Sequence, residues 1–118
     1  MDEVITVSLK DGTVSVDKPT LPVKHGESPK ITWVPESSGI TLKFVGFMDA
    51  VGKGHPIRVP QAGSQQGTIS TTDVNNNPTT QPQTFKYMLW VEEGGTVYCS
   101  EDPEIVNDPQ IGMGGGKP

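Results

Sequence analysis

The stretch Phe85-Lys86-Tyr87-Met88-Leu89-Trp90-Val91, followed by Glu92-Glu93-Gly94-Gly95 and Thr96-Val97-Tyr98-Cys99, reads as a strand, a tight glycine turn and a second strand. Phe85, Tyr87, Leu89 and Val91 alternate with Lys86, Met88 and Trp90. A period of two is the mark of a pleated strand with one face turned to a core. The second face of this strand is unusual. Met88 and Trp90 are large and apolar, so either a loop covers them or a partner does. On the strand after the turn, Val97 and Cys99 share a face that the same pattern assigns to the interior.

Composition supports strands throughout. The chain has thirteen Val, seven Ile and twelve Thr, against four Leu and two Ala. Branching at Cβ restricts χ1 in helices and fits the surface of a sheet. Fourteen Gly and eleven Pro punctuate the 118 residues, which gives many short strands and many turns. That combination indicates a sandwich or barrel.

Working back towards the N-terminus, Ile5, Val7 and Leu9 alternate with Val4, Thr6 and Ser8, and Val14 and Val16 alternate after Asp11-Gly12. Asp-Gly between two alternating runs is the signature of a type I′ hairpin. Pro19 and Pro22 mark a connection, and a third strand carries Ile31 and Trp33, with Trp33 placed at the core centre. A fourth runs through Ile40, Leu42 and Phe44 facing inward, with Phe47 out of phase, as after a bulge. Ile57-Arg58-Val59 is a short strand candidate, and residues 60–84 are polar with one weak strand at 68–74. Glu104-Ile105-Val106 completes the set. The expected core is Trp33, Phe44, Phe85, Tyr87, Leu89, Val97 and Cys99. The expected fold is all-β: a two-sheet antiparallel Greek-key sandwich of seven or eight strands, cupredoxin-like or immunoglobulin-like, over residues 1–110, with a flexible Gly-rich tail at 111–118.

The strand ending at Tyr98-Cys99-Ser100 resembles the end of a cupredoxin, where a copper-binding cysteine closes a strand. The resemblance implies a sandwich, and a copper site would draw on Cys99 with His55 upstream. A blue-copper centre also needs a second imidazole and an axial ligand. Glu101 and Asp102 stand where the loop histidine would fall, and Met113 lies far along the Gly-rich tail. The resemblance therefore reaches the fold and not the ligand set. An immunoglobulin domain would pair two cysteines around the core Trp, and this chain has one cysteine.

Net charge is −5, with one Arg and eight scattered Lys, which excludes a phosphate-binding surface and so a nucleic-acid partner. No apolar run reaches bilayer length, so no membrane insertion is expected. The acidic start, Met1-Asp2-Glu3, does not form a signal peptide. The expectation is a cytoplasmic protein if this N-terminus is native, and a secreted or periplasmic one if a signal peptide has been removed. No nucleophile motif or phosphate-cradling loop is present, and neither His25 nor His55 forms a recognisable acid–base set. The acidic run Glu92, Glu93, Glu101, Asp102, Glu104 and Asp108 reads as a solvated face. The functional expectation is a non-enzymatic interaction or structural module without cofactor, binding a protein partner or itself through Lys86, Met88 and Trp90. By fold-level analogy alone, such sandwiches recur in bacterial and phage structural proteins. The alternatives are a metal or redox protein using His55 and Cys99, and a carbohydrate-binding module.

Overall fold

The computed structural model describes residues 2–109, which leaves the expected tail at 111–118 outside the described residues. Ten strands form among these residues: β1 (Glu3–Lys10), β2 (Thr13–Val16), β3 (Thr20–Val23), β4 (Lys30–Pro35), β5 (Thr41–Phe47), β6 (Gln61–Ala62), β7 (Ile69–Thr72), β8 (Gln83–Glu93), β9 (Thr96–Cys99) and β10 (Glu104–Asn107). One sheet has the order β2-β1-β4-β7-β6. The other has the order β3-β10-β8-β5, with β9 also paired to β8. The all-β sandwich class holds, and two details of the expectation are corrected. Among the described residues there are ten strands rather than seven or eight, and both sheets are mixed rather than antiparallel. β1 runs parallel to β4, and β3 runs parallel to β10.

Local chemistry explains several elements. Asp11 and Gly12 have φ of 52° and 77°, the positive values that a type I′ turn requires. β3 contains Pro22, which has no N–H to donate. It is accordingly an edge strand, paired only with β10. Ile57-Arg58-Val59 makes no strand, only a single bridge from Ile57 to Asp73. β9 and β10 lie end to end along the same edge of β8. At the break between them, Ser100 N–H donates to the Leu89 carbonyl and Leu89 N–H donates to Ser100 Oγ, both at 2.9 Å. Pro103 then accepts from Tyr87 N–H at 3.0 Å, so the ladder of β8 continues past the break.

The core lies between the sheets. Trp33, Tyr87 and Leu89 are fully buried, and Phe85 is 9% exposed. Trp33 Nε1–H on β4 donates to the Tyr87 hydroxyl on β8 at 3.1 Å, tying one sheet to the other. The two rings meet edge to face with centroids 5.2 Å apart, and Phe47 packs on both. Burial pushes the Tyr87 hydroxyl up to about 12, with a smaller upward push from Asp17 against a lowering by the Trp33 hydrogen bond.

Three residues expected in this core are not in it. Phe44 is 57% exposed, Val97 is 53% exposed, and Cys99 is exposed. On β5 the register slips between Leu42 and Phe44, so Lys43 is the extra residue of a bulge. The slip turns Val45 and Phe47 inward and Phe44 outward. On β9 the Gly94-Gly95 turn pairs Val91 with Tyr98 and Trp90 with Cys99. Residues opposite each other in an antiparallel pair share a face. Since Val91 is buried, Tyr98 goes inward, and Val97 and Cys99 go outward.

Replacing Tyr87 with Phe removes the acceptor of the buried Trp33 N–H. An unpaired buried donor costs about 1–3 kcal/mol. Tyr87→Phe is expected to lower the unfolding free energy by that amount, read as a lower urea midpoint with an unchanged slope. An unchanged midpoint contradicts the inter-sheet role of this bond.

Candidate functional site

The candidate site is the outer face of the second sheet. β8 presents Lys86, Met88 and Trp90 there, because Phe85, Tyr87, Leu89 and Val91 point into the core. Pairing then fixes what stands beside each of them. On β5 and just beyond it, Phe44 lies opposite Trp90 and Gly46 opposite Met88, and Met48 N–H donates to the Lys86 carbonyl at 3.0 Å. On β9, Cys99 lies opposite Trp90, and Val97 opposite Glu92. On β10, Glu104 lies opposite Lys86. The result is three adjacent apolar columns with charged residues at the margin.

Exposure shows that this face is open among the described residues. Five large hydrophobic residues are exposed, namely Val4, Phe44, Met48, Val59 and Val97, and three of them stand on this one face. Trp90 and Met88 are half-buried by their neighbours. The Phe44 and Trp90 rings pack with centroids 5.4 Å apart at 52°. They fold over Gly46. A Cβ there would lie 2.8 Å from Phe44 Cε2 and 3.3 Å from Trp90 Cζ3, so only glycine lets the rings settle so low. A salt bridge between Lys43 Nζ and Glu92 Oε1, at 3.3 Å, runs along the margin. Both side chains are partly exposed, so the bridge contributes little to stability and more to the charge pattern of the rim.

A loop is one of the two covers that the sequence allows for this face, and the long polar 60–84 segment lies elsewhere. β6 and β7 join the first sheet. Pro60 to Ala62 and Gly67 to Ile69 line a shallow cleft with Leu42 to Val45, along the free edge of β5.

His55 and Cys99, the metal candidates, are placed on separate parts of the molecule. His55 is an exposed loop residue beside Pro56, Arg58, Val74 and Asn76. Cys99 sits on the outer face of the second sheet, across from Trp90. Among the described residues, no group of three or more His, Cys, Asp or Glu is placed to hold a metal ion. Phe44, Gly46, Met48 and Val97 belong to the apolar face, and the sequence reading did not assign them to it. The Gly94-Gly95 turn was the available signal for Val97, since a two-residue loop sets the register of β9 on β8.

No protein-family model matches this chain, and no curated protein matches it. Among solved structures, the chain is similar to the N-terminal domain of phage TP901-1 ORF48. The two share 14% identity over 89% of this chain and 97% of that one, with a TM-score of 0.39.

The exposure of Cys99 has a direct check. A thiol reagent is expected to label it in the native protein at a rate close to that in denaturant, since access and thiolate fraction set the rate. Protection of the native thiol by orders of magnitude contradicts the outward placement of β9.

Proposed function

We propose that this chain is a non-enzymatic interaction or structural module that binds a protein, or a second copy of itself, through the outer face of the second sheet. The observation that supports the reading is the clustering of Phe44, Met48, Met88, Trp90, Val97 and Cys99 on three adjacent strands, with Lys86, Glu92 and Glu104 around them. Aromatic residues and Met are enriched at interface cores, and charge is displaced to the rim. A contiguous apolar patch on a protein surface marks a contact site more often than a chance exposure. Trp90 stands at the centre of the patch, flanked by Phe44 on one side and Cys99 on the other. A central Trp ringed by smaller apolar contacts is the arrangement of an interface anchor.

Trp90→Ala separates a binding role from a folding role. Truncating an anchor costs about 2 kcal/mol or more, which is roughly a thirtyfold weaker association. Size-exclusion chromatography with light scattering across a concentration series should show the wild-type chain associating and the variant staying monomeric, with similar melting temperatures. Association unchanged by Trp90→Ala, together with a stability loss of about 3–5 kcal/mol, the cost of truncating a fully packed aromatic, contradicts the reading.

A further inference from the structure

A second unusual feature lies at one end of the sandwich, away from the apolar face. Asp73 directly follows β7 in the first sheet, and Asn107 is the last residue of β10 in the second. Both are fully buried. Asn107 Nδ2 donates to Asp73 Oδ1 at 2.9 Å. The other oxygen of each side chain, Asp73 Oδ2 and Asn107 Oδ1, is buried with no hydrogen-bond partner among the described residues. Unpaired buried acceptors are uncommon, and each calls for a physical reason.

The chemistry of the pair supplies one. An ionised carboxylate and an amide oxygen are both acceptors, and two acceptors cannot satisfy one another. A neutral carboxylic acid carries one O–H donor. With its proton on Oδ2, Asp73 can donate to Asn107 Oδ1 while Asn107 Nδ2 donates to Asp73 Oδ1. That closes a cyclic acid–amide pair with no acceptor left over.

We propose that Asp73 and Asn107 form a proton-dependent latch that closes this end of the sandwich in mild acid and weakens when Asp73 loses its proton. The latch sits at the root of a longer clasp. Asp73 N–H donates to the Pro29 carbonyl at 3.1 Å. Asn75 Nδ2 then donates to the carbonyls of Val23 and Asp108, and Asn77 Nδ2 to those of Asn107 and Gln81. The same crossing segment therefore holds the ends of β3 and β10, where the chain leaves the second sheet. The charged and titratable residues on the segments around Asp73 are Lys24, His25, Glu27 and Lys30 before and at the start of β4, His55 and Arg58 in the loop that bridges to it, and Asp108 after β10. None of them makes a hydrogen bond or ion pair to Asp73 among the described residues.

Burial pushes the Asp73 carboxyl from its ordinary value of 3.8 up to about 6, against a lowering by the Asn107 hydrogen bond. A raised carboxyl means that the folded state holds the proton more tightly than the unfolded state. Its stabilisation is therefore complete below 3.8, falls as pH rises through the interval to about 6, and is absent above that. Within the interval the folding equilibrium constant loses about tenfold per pH unit from this group.

The test combines two measurements on the full chain. Carbon-13 NMR of the side-chain carboxyls should give Asp73 a titration midpoint near 6. Urea unfolding of wild type and Asp73→Asn, compared at each pH, should give a difference that changes by about tenfold in equilibrium constant per unit between pH 4 and 6 and is flat above. Asparagine carries a permanent donor in place of the acid proton, so the variant mimics the closed latch at every pH. A midpoint near 3.8, or a difference independent of pH, overturns the proposal, because a bridging water would then satisfy both oxygens at any pH. If Asp73→Asn does not fold, the wild-type carboxyl titration decides alone, with amide exchange at Asn75 and Asn77 slowing in acid relative to distant amides as the supporting result. Exchange of these amides that tracks the distant ones contradicts it.

Discussion

The hydrogen bond from Trp33 Nε1 to the Tyr87 hydroxyl sets the phase of the whole second sheet. Trp33 is the largest fully buried side chain, and its indole N–H must find an acceptor inside the protein. Tyr87 provides it from the opposite sheet, which obliges β8 to turn its odd-numbered residues inward. With a side-chain period of two, no other face remains for Lys86, Met88 and Trp90. A slip of one residue would place Met88 and Trp90 in the core and expose Tyr87 and Leu89. The neighbours inherit this choice. The Gly94-Gly95 turn passes it to β9 and sends Cys99 outward, and the bulge at Lys43 passes it to β5 and sends Phe44 outward. One buried contact between two rings thus decides which side chains meet solvent three residues further along the strand, about 10 Å away at a rise of about 3.3 Å per residue.

Much of this was legible in the residues themselves. The alternation over Phe85–Val91 identified the central strand and both of its faces, and Asp11-Gly12 identified the first hairpin. The inward assignment of Val97 and Cys99 failed for a reason also present in the sequence. Alternation says which residues share a face and not which face it is, whereas the two-residue turn ties Tyr98 to Val91. Phe44 is a harder case. A bulge was expected near Phe47, but periodicity cannot say which residue is the extra one, and the lone step at Lys43 reverses every side chain after it. The parallel pairings of β1 with β4 and β3 with β10 join residues far apart in sequence, and no local propensity encodes them.

The polar 60–84 segment was the least legible part. Asn75, Asn76 and Asn77 before Pro78 belong to the polar stretch after the weak strand expected at 68–74, and Asn favours turns. Two of the three are instead buried, with their amides directed at backbone carbonyls of Val23, Asn107 and Asp108. Buried carbonyls at strand ends need donors, and a side-chain amide offers two. A division of the molecule into two kinds of surface follows. One end is closed by polar side chains that spend their hydrogen bonds on the fold. The outer face of the second sheet carries apolar side chains that the fold does not use.

Trp90 is the residue on which that division turns, and its surroundings can be read directly. The chain has two tryptophans, and Trp33 is fully buried, so the quenchable share of the wild-type indole fluorescence is that of Trp90. The decisive measurement is acrylamide quenching of its fluorescence across a concentration series, with the associated fraction followed in the same samples. The account predicts an indole open to the quencher in dilute monomer and shielded as association proceeds. An indole shielded equally in monomeric protein would show that the fold itself covers this face, and would contradict the account.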